Sequence, residues 1–483
     1  MEDTILEMGD GYVEYRPIPN LDISELKELD CVKPIDNDSQ LIVHCEPQRR
    51  FYGLCPKCND SESFYVHGRA ADRTVHDISR GIINILLKVK VPRYKCNECG
   101  AAFSYPFRSL IPGQQFTKRL YDQLKVRVLK EPFKVVATEY GISETKAADI
   151  LDEYSLELFR DRKVIAPKVL GIDEKHIVNE KRGVLVDVEL GVLLEMTPDN
   201  LKDTIQTAIE SLEDYDKNIK VVTIDMWTPY VSAIQECLPH AVIVVDRFHV
   251  VQNIYRKIER TRKKLFAKLK EQVNELPDGE EKEYKRELLT RLGKNVFLFR
   301  FNREHLDEVE TRSSLMRELC EVFPELNKLR LLKEGLERIY DVDNRAEAEA
   351  YYEEWITLIP PKEETIYSEI HTLKRSMKKW SKYIFSYFDE GCKYTNAATE
   401  GVNSFIDKIN DLGRGYGFEA LRIKSLFNSV QKLKPKPNQK VKSYNFASNM
   451  TDVTQIGTAG KTEYLSGGGT KIEKLNKKFD KIF

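Results

Sequence analysis

The hydrophobic period of the chain changes after Pro167. Short runs of β-branched and aliphatic residues at 168–173, 183–188 and 192–196 each predict a strand. An amphipathic stretch at 201–212 predicts a helix, and a strand at 219–225, a helix at 229–237 and a strand at 241–246 follow. Three meandering strands and then helix–strand alternation predict a mixed sheet with an antiparallel hairpin edge. The runs that end in Asp173 and Asp225 are rich in β-branched and aliphatic residues, as in buried parallel strands. Their last residues emerge at the carboxyl edge of the sheet, where open α/β sheets bind ligands. From 251 to 385 the pattern is helical, interrupted at Pro277-Asp278-Gly279 and Pro360-Pro361. It predicts an all-α insertion between the first part of the sheet domain, 161–250, and its second part, 386–434.

Upstream the pattern is different. Residues 1–40 are polar and acidic and predict a loosely held arm with one short helix at 23–29. Residues 41–112 carry short β-type runs at 41–43, 64–66 and 82–91, enclosed by Cys55-Pro-Lys-Cys58 and Cys96-Asn-Glu-Cys99. In the segment 113–160, residues 118–130 place Leu120, Leu124, Val128 and Leu129 at helical spacing, and Pro132 ends that helix. A helix-turn-helix follows. Ala137 is small enough for a close helix crossing, Gly141 makes the turn, Ile142 packs inward and Ser143 caps a second helix at 143–154. The tail at 435–483, with its Lys-Pro alternation and Gly467-Gly468-Gly469, reads as flexible.

Composition narrows the picture. With 76 Lys and Arg against 77 Asp and Glu in 483 residues, a uniformly basic nucleic-acid coat is excluded, so local patches carry any such binding. No apolar run approaches the roughly 20 residues needed to span a bilayer, and an acidic start is unlike a signal peptide; a cytoplasmic protein is expected. Nine cysteines, four of them in two CxxC pairs, point to a reducing compartment and a metal site. Cys55, Cys58, Cys96 and Cys99 match two knuckles holding one structural zinc ion. The 37 intervening residues require a small sheet between the knuckles. Cys31, Cys45, Cys237, Cys320 and Cys392 read as ordinary reduced thiols.

The candidate chemistry rests on carboxylates. Asp173 and Asp225 close apolar strands, and Glu400 opens an amphipathic helix within Thr395-Asn396-Ala397-Ala398-Thr399-Glu400-Gly401-Val402-Asn403. Three carboxylates on three separated elements are the minimum for a pair of magnesium or manganese ions acting on a phosphodiester. In this reading Asp173 bridges both ions, Asp225 holds one and Glu400 the other, while Asn396 and Asn403 steady Glu400. His249, in Asp246-Arg247-Phe248-His249, either orients a phosphate or packs in the core. Trp227 and Tyr230 either stack on flipped bases or pack a helix start. For DNA, Ser143, Thr145 and Lys146 face outward from the second helix of the helix-turn-helix, with Lys118, Arg119, Lys125, Arg127 and Lys134 available to phosphates. The run Arg256, Lys257, Arg260, Arg262, Lys263, Lys264, Lys268 and Lys270 is either a solvated face or a DNA track.

The order "GIDE", "TIDMWTPY", "VVDRFH" and "TNAATEGVN" with "GYGF" resembles the DDE transposases of bacterial insertion sequences, in the group with an N-terminal zinc-binding domain and a helix-turn-helix. The resemblance spans residues 40–433. It implies an α/β ribonuclease-H-like catalytic core with a large all-α insertion, preceded by the zinc-binding β module and the helix-turn-helix. It also implies Asp173, Asp225 and Glu400 as the magnesium-binding triad and an acid-x-x-His signature at Asp246 and His249. The expected partners are double-stranded DNA, as terminal inverted repeats and target, and a second copy of the chain; the expected location is the nucleoid. The alternative is a sequence-specific DNA-binding regulator that has kept the fold and lost catalysis.

Overall fold

The computed structural model describes residues 20–428 apart from 35–38, 52, 60–63, 70, 161, 296–297 and 301–308, together with the backbone of two strands before residue 20. The tail at 435–483 lies outside the described residues. The described chain divides into two compact units, residues 1–162 with 412–428, and residues 163–411.

In the first unit, β1 (Ile5–Met8), β2 (Gly11–Tyr15), β3 (Leu26–Pro34), β4 (Gln40–Pro47), β6 (Arg73–Arg80) and β7 (Ile83–Val89) form a six-stranded sheet in the order β1-β2-β3-β4-β7-β6. Residues 5–8, 11–15 and 26–34 of the acidic N-terminal segment, expected as a loose arm, are therefore strands, and in place of the helix expected at 23–29 a turn leads into β3. Leu26 and Val32 are buried and Leu21, Leu26 and Cys31 join Val43, Cys45, Val75, Ile85, Leu87 and Val89 in one core, so tertiary packing rewards a strand where local charge suggested solvent. Burial pushes the Cys45 thiol up to about 12, which leaves it inert. The chain between the two CxxC pairs feeds both this sheet and a second one, in which β5 (Phe64–Arg69), β8 (Pro92–Cys96) and β9 (Ala102–Ser104) pair as β5-β8-β9. Phe51, Phe64, Tyr94 and Phe103 pack ring on ring beneath this second sheet, with centroids 5.5–6.0 Å apart.

The helices α1 (Lys118–Lys130), α2 (Phe133–Tyr140) and α3 (Glu144–Arg160) match the expected trihelical segment. Gly141 ends α2 at φ 64°, and the Ser143 hydroxyl accepts the Lys146 N–H at 3.0 Å, as an N-cap should. Buried Asp77 on β6 ties α1 to the six-stranded sheet: its carboxylate accepts from the Thr117 hydroxyl at 2.7 Å and from the Arg119 guanidinium at two points. The helix Phe418–Phe427, expected from the sequence to complete the sheet domain, belongs instead to this first unit, where Ile423 packs among Leu124, Val128 and Ile150. Its Lys424 is buried and donates to the backbone carbonyls of Val128 and, at 2.9 Å, Glu131, while the rings of Phe133 and Tyr416 stand 4.5 and 4.9 Å from the ammonium. An ammonium caps the orphan carbonyls at the end of α1.

In the second unit, β10 (Val169–Ile177), β11 (Glu180–Asp187) and β12 (Val192–Met196) form the antiparallel hairpin edge, and α4 (Lys202–Glu210), β13 (Val221–Ile224), α6 (Thr228–Cys237) and β14 (Val242–Val245) follow as the sequence pattern predicts, with one short helix outside that pattern, α5 (Tyr215–Asn218), between α4 and β13. The strand order is β12-β11-β10-β13-β14, with β10, β13 and β14 parallel and β11 opposed. One face packs Leu170, Ile172 and Leu185 against Ile205 of α4 and Tyr230 and Ile234 of α6. The other face carries Val169, Val221 and Val244. The insertion consists of α7 (Arg247–Glu275), α8 (Glu280–Lys294), α9 (Glu310–Val322), α10 (Pro324–Glu337), α11 (Arg345–Leu358) and α12 (Ser368–Phe385), with α7 packed along α10 and α12. The Trp355 indole donates to the Leu332 carbonyl at 2.9 Å in its core. After the insertion the chain returns as α13 (Ala397–Leu412). No helix among the described residues is long and apolar enough to cross a membrane.

Burial lowers the Lys424 ammonium from its ordinary 10.5 to about 7, and the two carbonyls and ring faces return part of that cost. Between these two values the unfolded chain binds the extra proton, so stability rises with pH, by at most about 1.4 kcal/mol per pH unit. Urea unfolding of the first unit is expected to show this gain from pH 7 to 9 in the wild type and its loss in Lys424→Met.

Candidate active site

The register of the parallel strands sets the geometry. Ile172 pairs with Ile224 and Ile224 with Val245, and the residue after each is an aspartate: Asp173, Asp225 and Asp246. Adjacent strands lie about 4.8 Å apart, so three carboxylates reach the sheet edge side by side. Asp173 and Asp246 are buried. The Asp173 carboxylate accepts from the Asn403 amide at 2.6 Å and from the Glu174 N–H at 2.7 Å, and the buried Tyr230 hydroxyl donates to the Asp173 carbonyl. His249, in the first turn of α7, places Nε2 3.0 Å from Asp225 Oδ1 and 4.0 Å from Asp246 Oδ2.

The helix α13 lies against the face that carries Val169, Gly171 and Asp173. A Cβ on Gly171 would stand 2.6 Å from Thr399 Oγ1 and 2.9 Å from the Val188 side chain, so the missing side chain is what admits this helix so close to β10. Asn396 pins its start. Its side-chain oxygen accepts from Thr223 Oγ1 on β13 at 2.5 Å, its N–H donates to Asp246 Oδ1 at 3.0 Å, and its carbonyl accepts the Glu400 N–H at 2.9 Å. Glu400 and Asn403 then share one helix face, which Asn403 ties to Asp173.

The electrostatics are those of crowded acids short of counter-charge. Burial raises Asp225 to about 7, opposed by His249 and reinforced by Asp173. Burial also raises Glu400 to about 7, with Asp246 and Asp173 adding to the rise, and burial pushes Asp246 up as well. For His249, burial works against the imidazolium, but Asp225, Asp246 and Asp173 together outweigh it and lift the group to about 9. A divalent cation fits this demand. The oxygens of Asp173 and Asp225 and a ring nitrogen of His249 lie within 4.8 Å of one another, and Asp246 Oδ2 and Asn403 Oδ1 are buried without a hydrogen-bond partner. Among the described residues Glu400 falls outside that tight group, although its carboxyl senses Asp246, His249 and Asp173.

Asp246, known from the sequence only as the acid of the acid-x-x-His signature, stands level with Asp225 at the sheet edge. Its signal was the same as for the other two, an aspartate closing the apolar run 242–245. Tyr230, a stacking candidate, is fully buried and packs the sheet; Trp227 remains 40 % exposed. Of the DNA candidates in the first unit, Lys118, Ser143 and Thr145 are exposed and Lys146 is half-buried. Arg119 is engaged on Asp77 and the Leu21 carbonyl, Lys125 on Glu157, and Arg127 on Glu131 and Glu139, because a buried or neighbouring carboxylate competes for each cation. On α7, Lys257, Arg260 and Lys264 converge on Glu369 and Arg262 is buried beside Glu259, which leaves Arg256, Lys263, Lys268 and Lys270 facing solvent.

The four cysteines form a separate centre in the first unit. Cys55 and Cys99 sulfurs stand 3.6 Å apart, as do those of Cys58 and Cys96, and all four lie within 4.8 Å. Four thiolates about 2.3 Å from one zinc ion would be about 3.8 Å apart, so the arrangement fits. The backbone N–H groups of Cys58 and Lys57 draw the Cys55 thiol down to about 7, toward the thiolate that zinc binds.

Two outcomes are expected. Gly171→Ala should push α13 off the sheet and cost about 1–3 kcal/mol in thermal or urea unfolding. Elemental analysis should find one zinc per chain, absent in Cys96→Ser, with a lower melting transition of the first unit in that variant.

A transposase family model matches residues 170–425, which contain every residue of the carboxylate site. The transposase of insertion sequence element IS1001 from Bordetella parapertussis is 25 % identical over 392 residues, covering 79 % of this chain and 90 % of that protein. With a match over more than half its length, and with the aspartates of three parallel strands inside it, the chain belongs to the ISL3-type family of insertion-sequence transposases.

Proposed function

We propose that the chain cuts the ends of an insertion sequence and joins them to target DNA, using a ribonuclease-H-like core in which Asp173, Asp225 and Glu400 hold two magnesium ions. The observation that carries this reading is the register that brings Asp173 and Asp225 level on neighbouring parallel strands, with the helix of Glu400 tied to both Asp173 and Asp246. The strand order, with one opposed strand and the insertion between β14 and the Glu400 helix, supports the ribonuclease-H-like assignment. When bound, the ions would supply Lewis-acid activation of the attacking water or 3′ hydroxyl and neutralise the departing oxygen. The chain itself does the positioning. Asn403 and the Glu174 N–H orient the Asp173 carboxylate, and Asn396 fixes the turn from which Glu400 projects. His249 Nε2, held by Asp225, carries a proton that can be offered to a phosphate or leaving oxygen.

In the same reading, the four-cysteine module and the helix α3 bind the terminal inverted repeats, with Ser143, Thr145, Lys146 and Lys118 toward DNA, and two copies of the chain act on two ends. The test is cleavage and joining of labelled duplex carrying the repeats that flank the gene, with magnesium or manganese. Nicking at the repeat tip is expected for the wild type. Glu400→Gln should reduce it by a factor on the order of 10³ or more while duplex binding persists. Equal binding with no cleavage by either protein would make the chain a DNA-binding regulator.

A further inference from the structure

The hairpin of β10 and β11 continues past the site that it helps to build. Pairing of β10 with β13 stops at Ile172, and pairing of β11 with β12 stops at Val184, yet β10 and β11 stay paired out to Ile177 and Glu180. Beyond Asp173 the two strands run on for four residues each, still held at Gly183, which bonds to Thr197 and Asp199, and at buried Arg182, which donates to the Pro198 carbonyl; the pairs His176–Lys181 and Ile177–Glu180, with Ile177 buried, and the turn after them extend past these contacts as a short finger. Its root is braced: Lys175 pairs with Asp407 at 2.9 Å, Lys181 with Glu174 at 2.8 Å, and the Asn200 amide donates to Glu174.

The tip is built against local preference. Val178 and Asn179 form its two-residue loop with φ of 50° and 62°, the left-handed pair of a type I′ turn. Asn suits that position; a β-branched residue there is strained, and Gly, Asn or Asp would be more stable. Val178 joins no core cluster in return, and the residue is 46 % exposed. An aliphatic residue kept half-exposed at a conformational cost suits contact with something outside the molecule. The neighbouring chemistry says what. His176 and Lys181 pair directly across the finger and both are exposed, Lys181 Nζ stands 5.7 Å from the centre of the Trp227 ring, and Trp227 is exposed two residues after Asp225. From the site outward the order is the Trp227 ring, the His176–Lys181 pair and the aliphatic tip.

We propose that this finger is a DNA wedge: Val178 enters the base step beside the scissile phosphate, Trp227 stacks on the base so released, and Lys181 and His176 meet the backbone phosphates. Apolar wedges that unstack a step, aromatic platforms for displaced bases and cations for phosphates are the three elements such opening requires. The inference rests on the DNA-cleaving reading above and adds how that site gains access to a paired end.

The test uses the full-length protein and a repeat-end duplex with 2-aminopurine beside the cleavage position. Wild type and Val178→Leu are expected to raise its fluorescence on binding, and Val178→Gly to bind without that rise. Val178→Gly should melt at the same temperature or higher, because glycine accepts the turn without strain. It should cut the paired duplex roughly tenfold more slowly or worse, with the defect recovered on a duplex whose end carries mismatched pairs. An undiminished fluorescence rise in Val178→Gly, or an equal slowing on paired and mismatched ends, overturns the wedge. Failure of the wild type to cut either duplex overturns the cleavage reading instead, and the fluorescence on binding still decides for or against the wedge.

Discussion

The second unit is organised around one unfavourable interaction, the crowding of buried acids at the carboxyl ends of three parallel strands. Asp173, Asp225 and Asp246 are neighbours because their strands are in register, and Glu400 adds a fourth acid from above. In a low dielectric such a group is tolerable only with protons, donors or cations among the oxygens. The structure supplies donors from Asn403, Asn396 and the Glu174 backbone and one imidazole from His249. Burial, with the neighbouring acids adding to it, pushes Asp225 and Glu400 up to about 7. A site in this condition is poised for divalent cations, which is the property a phosphodiester-cleaving enzyme needs.

The same constraint explains details that look incidental along the chain. Gly171 lacks a side chain because the Glu400 helix must approach β10 closely enough for Asn403 to reach Asp173. Thr223, buried within a strand of aliphatic residues, offers its hydroxyl to Asn396 and so fixes where that helix begins. In the first unit a different buried acid has the corresponding role. Asp77 satisfies the cap of α1 and the guanidinium of Arg119, and the far end of α1 is closed by Lys424 from the other end of the chain. Each unit is thus held at a few charged groups whose desolvation cost is offset only when every partner is present.

Local pattern made much of this legible. The alternation of 168–246 specifies the strands and helices of the sheet, since apolar runs closed by aspartate have few other uses, and the turn chemistry of Gly141 and Ser143 marks the helix-turn-helix. The paired CxxC spacing anticipates a four-sulfur centre because knuckle geometry is local. Where the reading went astray, the deciding partner lay far away in sequence. Residues 26–34 form a strand because a neighbouring strand and a core accept them, which no local charge count reveals. The helix Phe418–Phe427 joins the first unit because Ile423 and Lys424 find their partners near residues 124–150. Arg119 faces Asp77 because a buried carboxylate outcompetes solvent for it.

What the sequence determined by itself is the set of elements and the identity of the acids that close them, because periodicity, capping and turn preferences act over a few residues. Only the tertiary structure decided which of those acids meet. Strand register makes Asp246 a neighbour of Asp225, helix packing over Gly171 sets Glu400 beside rather than within the tightest donor group, and His249 enters that group from the first turn of the next helix. These are distances between segments up to 230 residues apart, as from Asp173 to Asn403, and they follow from packing and the pairing of buried polar atoms, which no local pattern encodes.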